Sequence, residues 1–292
     1  MDKDTIRVAS VAMHSVMGDP SANLARVAEW AHKAHAQGAD FGIFPEECIT
    51  GSMNKSDLTF EEARKIAEAA AEESVPFLES LARKLQMTLV VGTIEPFGEQ
   101  LRNSALIVGP EGYLTTFSKL HLPNPNEREW FVPGDTFPVV ASQGWTFGVG
   151  ICYDLRFPEL FRGAAQKGAE LFFIPVGGSG ATEKISDNGD QRKQAESHKE
   201  LAMQLLPGRA VDNALHIFYA NQSGHSGNAW FPGLCLAIDP TGQLIDEHLP
   251  DEGMIVTEIK RDVADRARAS ASCTVDEARP TVYEAAQLVK GE

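Results

Sequence analysis

Strand-like and helix-like apolar patterns take turns along this chain. Ile6 to Met13, with β-branched Ile6, Val8 and Val11, reads as a buried strand. Asp19-Pro20-Ser21 marks a helix start, and Leu24, Val27, Ala28, Ala31, Ala34 and Ala36 form a helical stripe that Gly38 ends. Phe41 to Phe44, closed by Pro45, is a second strand. Glu61 to Leu85, rich in Ala, Glu, Lys and Leu, reads as one or two helices broken near Pro76, because proline cannot continue the hydrogen-bond ladder. Further strands are expected at Leu89 to Ile94, Ser104 to Val108, Tyr113 to Phe117, Phe147 to Ile151, Leu171 to Val176, Ala214 to Ala220, Leu234 to Ile238, Gln243 to Asp246 and Met254 to Ile259. Helices are expected from about Pro158 to Lys167 and from Gln204 to Asn213. The turns Pro110-Glu111-Gly112 and Asp239-Pro240-Thr241-Gly242 mark hairpins inside the alternation. Hairpins among helix–strand units favour a mixed-sheet α/β architecture over a purely parallel barrel. With no repeat, low-complexity tract or composition break, residues 1–292 read as a single domain. Ser179 to Glu200 is polar and nearly free of large apolar residues, so it reads as a long irregular connection, either functional or mobile.

Of the 292 residues, 43% are hydrophobic. A chain of this size buries about 75% of its unfolded surface and needs no metal or disulfide to hold its core. The 26 basic and 41 acidic residues leave a net charge of −15, which repels nucleic acid and anionic membrane alike. Cys48, Cys152, Cys235 and Cys273 form no CxxC pair. The first residues lack the apolar core of a signal peptide, and no apolar run approaches the ~18 residues of a membrane span. A cytoplasmic protein with reduced thiols is expected.

Three positions could carry chemistry. In Val149-Gly150-Ile151-Cys152-Tyr153-Asp154 a buried strand ends at a cysteine, and a helix begins soon after with Pro158 in its first turn. A nucleophile on such a strand-to-helix turn stands clear of the backbone and gains thiolate character from the helix dipole; a packed core cysteine is the competing reading. In Phe44-Pro45-Glu46-Glu47 two carboxylates follow a strand, where burial would make a usable base; solvated loop acids are the alternative. In Phe117-Ser118-Lys119-Leu120-His121-Leu122-Pro123 a lysine sits among apolar neighbours, either functional or a snorkelling edge residue. His32 and His35, three apart on a helix, have no third metal ligand near them in sequence. No glycine-rich nucleotide loop follows a strand. Cys48 is expected to be a packed, unreactive thiol.

An acid, a lysine and a cysteine, each after a buried strand and in that order, resemble the nitrilase, or carbon–nitrogen hydrolase, superfamily. The likeness runs through Phe44-Pro45-Glu46, Lys119 to Pro123, Gly150 to Glu159, Gly208-Arg209-Ala210 with Asn213, Asn221-Gln222-Ser223-Gly224, Asp239 to Gly242, and Arg279-Pro280 with Tyr283. Each motif is weak alone; their joint order is specific. The resemblance implies a four-layer α-β-β-α sandwich with mixed sheets that associates as a homodimer or higher homo-oligomer. It implies Glu46 as general base, Lys119 as oxyanion stabiliser and Cys152 as nucleophile, with Glu127 rather than Glu129 as a supporting acid and the Tyr153 backbone N–H as a second oxyanion donor. No metal or organic cofactor is implied, and the partner is a small-molecule amide.

Cys152-Tyr153-Asp154 is similar to the amidase branches rather than to true nitrilases, which resemble Cys-Trp-Glu. The run to Leu160 is similar to omega-amidase and deaminated-glutathione amidase relatives, with N-carbamoyl amino-acid amidases a second candidate. Arg156 could hold a substrate carboxylate in a bidentate fork, or form an ion pair with Asp154 or Glu159. His121 is expected to line the pocket. Gly177 and Gly178, after Pro175, stand where the resemblance places substrate-reading residues, as does Thr50-Gly51-Ser52-Met53, which lacks the family's frequent tyrosine. The stretch Ser179 to Met203 would then be a substrate-facing lid hinged on Gly177, Gly178 and Gly180. A catalytically inactive binding protein of the same fold is the alternative from another class; it would have lost one of Glu46, Lys119 and Cys152.

Overall fold

The computed structural model describes residues 3–180, 188–279 and 281. Its first elements are β1 (Thr5–Ala12), α1 (Pro20–Ala36), β2 (Phe41–Ile43), α2 (Phe60–Leu85), β3 (Thr88–Phe97), β4 (Gln100–Gly109), β5 (Gly112–Ser118) and α3 (Pro125–Trp130). There follow β6 (Val140–Ser142), β7 (Trp145–Val149), α4 (Pro158–Gln166), β8 (Leu171–Val176), α5 (Asn188–Asn213) and β9 (His216–Asn221). The rest is β10 (Ser223–Ser226), β11 (Ala229–Pro232), β12 (Cys235–Ile238), β13 (Leu244–His248), β14 (Gly253–Lys260) and α6 (Arg261–Arg268).

Two six-stranded sheets result, ordered β14-β1-β2-β3-β4-β5 and β13-β12-β9-β8-β7-β6, beside a small β10–β11 ribbon. In the first, β1, β2 and β3 run parallel, with antiparallel β14 on one flank and β4 and β5 on the other. In the second, β7, β8 and β9 run parallel, flanked by antiparallel β6, β12 and β13. Strand side chains alternate between faces, so each strand of a double-sided sheet must be apolar on both. Ile6, Val8 and Ala12 of β1 share one cluster with Phe41, Ile43, Ala105 and Ile107, and with Phe147, Phe173 and Phe218 of the opposite sheet. Ala9, Val11 and Met13 point the other way, into a cluster with Leu24, Val27 and Ala31 of α1 and Leu78, Leu81 and Leu85 of α2. On the far side, Phe161 of α4 stacks on Phe172 of β8 at 4.1 Å, and Ala202, Leu206 and Ala210 of α5 join the same core. The layers are therefore helix, sheet, sheet, helix, with mixed sheets, as the resemblance implied.

Two sequence expectations need correction. The first is the break near Pro76: α2 runs unbroken from Phe60 to Leu85 with Pro76 inside it. Its buried Ala63, Ala67, Ala70, Ser74, Leu78, Leu81 and Leu85 form one stripe on both sides of the proline. Packing of both halves on the same sheet outweighs the ~3 kcal/mol that an interior proline costs. The second is the irregular stretch to Glu200: α5 already begins at Asn188 and takes in the expected Gln204 to Asn213 helix. Its buried anchors Ala195, Ala202, Leu206 and Ala210 recur at helical spacing, but the early ones are small, which hid the stripe. Residues 181–187, part of the expected lid, and Pro280 and Tyr283 lie outside the described residues.

Candidate active site

Parallel strands β2, β7, β8 and β9 deliver Glu46, Cys152, Gly177 and Gln222 just beyond their C-terminal ends, the place where open α/β sheets assemble binding sites. Lys119 follows β5, and its backbone N–H donates to Asn103 O of β4 at 2.8 Å. The acid and the lysine hang from one sheet and the thiol from the other, so the sheet–sheet packing sets their alignment.

Lys119 is 1% exposed and donates to Glu46 Oε1 at 2.7 Å and Glu127 Oε2 at 2.8 Å. Glu46 is held on every side. Asn103 Nδ2 donates to its Oε1 at 2.8 Å, the Gly177 N–H donates to its Oε2 at 2.6 Å, and Gln222 Nε2 donates to its backbone carbonyl at 2.7 Å. A Cβ on Gly177 would lie 2.9 Å from Glu46 Oε2, so only glycine allows this backbone to approach the acid. Burial opposes ionisation of Glu46, but the Lys119 and Lys55 charges and the hydrogen bonds from Lys119 and Asn103 outweigh it and hold its carboxyl below the usual range. Burial dominates at Glu127 and raises its carboxyl despite Lys119. Burial opposes the Lys119 ammonium, yet Glu46, Cys152 and Glu127 together hold its pKa well above the usual value. The resting array is an ionised Glu46 and a charged Lys119, beside a Glu127 that holds its proton more tightly than an ordinary glutamate.

Cys152 opens a tight 3-10 turn, Cys152–Arg156, with φ of +46°. A left-handed backbone at a non-glycine residue costs on the order of 1–3 kcal/mol, and such strain gathers at functional turns. Tyr153 supplies the next backbone N–H at the start of that turn, where amides lack partners within the helix. Burial, then Glu46, push the Cys152 thiol up, while Lys119 pulls it down less, so the resting sulfur is a thiol. Asp154 ties the turn to the lysine loop: it accepts from Ile151 N at 3.0 Å, His121 N at 3.0 Å and His121 Nδ1 at 2.7 Å.

The remaining expectations divide. His121 stacks on Phe157 at 3.4 Å and serves Asp154 from a cleft shared with Leu122, Arg128 and Tyr153. Arg156 is exposed, its guanidinium 5.6 Å from the Tyr153 ring, and makes no ion pair among the described residues with Asp154 or Glu159. Gly178 packs under His198 of α5, whose Cε1 lies 2.9 Å from where a Cβ would be. Glu129 is exposed, whereas Glu127 is buried against Lys119. Cys48 is buried, with Sγ 3.4 Å from Gly92 O, and burial pushes its thiol up. His32 and His35 are exposed on α1, and the described residues contain no cluster of three or more candidate metal ligands. Sequence reasoning missed Asn103 and Lys55 as neighbours of the acid, and left Gln222 as a motif without a role. Asn103 was the findable one, a polar residue on a strand whose neighbours alternate into two cores.

Comparison with known proteins gives a consistent result. The model of the carbon-nitrogen hydrolase family matches residues 7–269. The chain is 31% identical to a nitrilase of Pyrococcus abyssi over 242 residues, covering 82% of this chain and 84% of that protein. It is 30% identical to an (R)-stereoselective amidase of a Pseudomonas species over 252 residues, covering 86% of this chain and 84% of that one. It is 29% identical to omega-amidase NIT3 of Saccharomyces cerevisiae over 287 residues, covering 92% of each. Among solved structures, a cysteine-to-alanine mutant of the Nesterenkonia AN1 amidase from the nitrilase superfamily superposes with a TM-score of 0.77 at 26% identity, covering 97% of this chain and 98% of that one. Another mutant of that amidase, showing covalent addition of the acetamide moiety of fluoroacetamide at the active-site cysteine, gives 0.76 at 26% identity over 96% of each chain. With this fold, this grouping of Glu46, Lys119 and Cys152 and a match spanning nearly its whole length, the chain belongs to the carbon–nitrogen hydrolase family.

Proposed function

We propose that this protein hydrolyses the C–N bond of a small non-peptide amide through a thioester on Cys152, releasing ammonia and a carboxylic acid. The observation that carries the reading is the buried Glu46–Lys119–Glu127 array beside a cysteine on a left-handed turn. Glu46 takes the thiol proton as sulfur attacks the carbonyl carbon, so a raised thiol pKa is no obstacle to a neighbouring carboxylate base. The C–S bond forms and the carbonyl electrons move to oxygen, held by the Lys119 ammonium and the Tyr153 N–H. Collapse breaks the C–N bond, and Glu46 returns its proton to the departing nitrogen. Water then gives a proton to Glu46 and attacks the thioester; the C–S bond breaks, the acid leaves and the sulfur regains its proton. Glu127 orients Lys119 and balances its charge, while Gly177 and Gly178 shape the wall beside Glu46. His121 and Arg156 border the substrate entrance.

The whole chain acts as one catalytic unit in this reading, a cytoplasmic enzyme; four free cysteines, three of them buried, suit a reducing compartment. Assembly as a homodimer or higher homo-oligomer rests on the family resemblance. Ammonia release from a panel of aliphatic amides, omega-amides, N-carbamoyl amino acids and nitriles tests the function. Turnover of amides, with a thioester adduct on Cys152 in quenched samples by intact-protein mass spectrometry, is expected. Turnover confined to nitriles, or to N-carbamoyl compounds, would replace the amide reading with one of those.

A further inference from the structure

Glu46 meets the chain beyond β8 at a glycine. The Gly177 N–H donates to its Oε2 at 2.6 Å, and a Cβ at Gly177 would lie 2.9 Å from the same oxygen. The residue that permits this close approach also has the widest choice of backbone angles. A hydrogen bond aimed at one carboxylate oxygen therefore needs the glycine held from elsewhere. The Gly177 carbonyl is held: Lys55 Nζ donates to it at 2.7 Å. Asn221 Nδ2 donates to the next carbonyl, that of Gly178, at 3.1 Å.

Lys55 is itself fixed at both ends. It closes the 3-10 turn Met53–Lys55 on the loop that carries Glu46, and its backbone carbonyl accepts from Asn228 N at 2.8 Å. Its half-buried ammonium sits 5.1 Å from the centre of the Phe231 ring of β11. Through Gly177 that ammonium comes within roughly 9 Å of the Glu46 carboxylate. Glu46, Glu47 and Glu127 are all buried here, and like charges so close resist ionising together. A second cation beside Lys119 weighs on which of them does. The Lys55 charge helps to lower the Glu46 carboxyl, opposes the rise at Glu47 and Glu127, and pulls the Cys152 thiol down. It therefore favours negative charge along the path from the acid to the sulfur.

We propose that Lys55 is a positioning residue for the hydrolysis, pinning the Gly177 peptide against Glu46 and adding a second positive charge that keeps this acid ionised at rest. The inference rests on the amidase reading of the site and gives a task to a residue outside the Glu46, Lys119 and Cys152 set. The titratable groups that face Glu46 are Glu47 on its own loop, Lys119 after β5, Glu127 of α3, Cys152 after β7 and Tyr219 of β9; His198 of α5 faces Lys55. Without the Lys55 charge, burial and the neighbouring acids act on Glu46 against Lys119. The carboxyl then rises, and a larger share of the enzyme holds its base protonated at low pH.

The test is the acid limb of kcat/KM against pH for a neutral amide that the parental enzyme hydrolyses, since that limb reports the essential base of the free enzyme. Lys55→Met keeps the length of the side chain and its packing on Phe231. It should move the limb up by about one pH unit, the effect of one unit charge roughly 9 Å away at an effective dielectric constant of about 20. On the limb itself that is a roughly tenfold loss of kcat/KM. Lys55→Arg keeps the charge and should keep the parental limb. Lys33→Met on α1 changes the net charge equally, far from any site residue named above, and should not move it either. A Lys55→Met limb at the parental pH, or a limb displaced as far by Lys55→Arg or Lys33→Met, overturns the proposal. A merely structural role would lower Tm or the rate without moving the limb. Should Lys55→Met not fold, Lys55→Gln is read in its place. If the parental enzyme hydrolyses no amide, the amidase reading fails, and the pH dependence of Cys152 alkylation by iodoacetamide decides the role of Lys55 by itself, with the Cys152→Ala protein as blank. A limb displaced upward in Lys55→Met upholds that role; superimposable profiles reject it.

Discussion

Two side chains next to each other show how finely burial sorts acids. Glu46 and Glu47 both lie buried, and Asn103 Nδ2 donates to both, at 2.8 and 3.1 Å. Of these two acids, Lys119 reaches only Glu46. Burial and then the Glu46 charge push the Glu47 carboxyl up to about 8. Its folded pKa lies above the unfolded value, so its contribution to stability is whole below the ordinary glutamate range and fades as pH rises through about 8. A tenfold difference in proton affinity between the folded and unfolded chain corresponds to about 1.4 kcal/mol. Glu47→Gln is neutral at every pH and should flatten the fall in Tm between about pH 5 and 9. A variant with the parental pH slope would mean that Glu47 does not carry that proton. The catalytic assignments are tested beside it. Cys152→Ala should lose amide turnover while keeping the parental Tm, and Lys119→Ala should lower kcat by about 10²–10³, the worth of one oxyanion donor. Near-parental ammonia release by either protein would reject the role given to that residue.

Among the elements, α2 is the clearest case of packing overruling local propensity. Pro76 is exposed on the outer face, between buried Ser74 and Leu78. Nothing in the core needs its ring. Pro76→Ala should therefore restore a backbone hydrogen bond and stabilise the protein by about 2 kcal/mol, the helix gain less the entropy that proline removes from the unfolded chain. A higher urea midpoint is the expected result, and a midpoint at or below the parental one would show that the proline is accommodated without cost. α5 gives the complementary lesson. Its exposed first turns are rich in Arg, Lys, Gln and Glu, with Arg192 and Glu196 paired at 3.1 Å, and Lys199 reaches Glu247 of β13 at 2.5 Å. Polar composition there marks a solvated helix face rather than irregular chain.

For the molecule as a whole, the contact between the two sheets is the decisive feature. Phe173 lies 5.8 Å from Phe41 of the first sheet and 4.9 and 6.0 Å from Phe147 and Phe218 of its own. Phe41 lies in β2, which leads to Glu46, and Phe147 lies in β7, which leads to Cys152. Phe173→Ala should cost about 3–5 kcal/mol as a large-to-small core change. It should also lower kcat beyond the loss of folded protein, because the strands that lead to the acid and to the thiol both pack on this ring. Active-site titration alongside denaturant unfolding separates the two effects. Full specific activity per folded molecule would show that alignment of the site does not depend on this contact.

Much of this was written in the chain itself. The central strands were legible because a sheet covered on both faces must be apolar on both, and β3 and β8 read that way. Glu46, Lys119 and Cys152 stood out because each sits where a buried strand ends, in an order that few chains share. Helix α5 before Gln204 was hidden because alanine anchors leave a faint stripe, and the continuity of α2 was hidden because the packing that overrides Pro76 is not local. The apolar pattern alone leaves Glu46 and Glu47 alike, and only the family motif points to Glu46. The two have the same chemistry and neighbouring positions, and both are buried; what separates them is which one a buried lysine reaches. That is a property of strands brought together from across the chain, and the tertiary structure alone decides it, because desolvation and charge pairing depend on distance in space and not along the sequence.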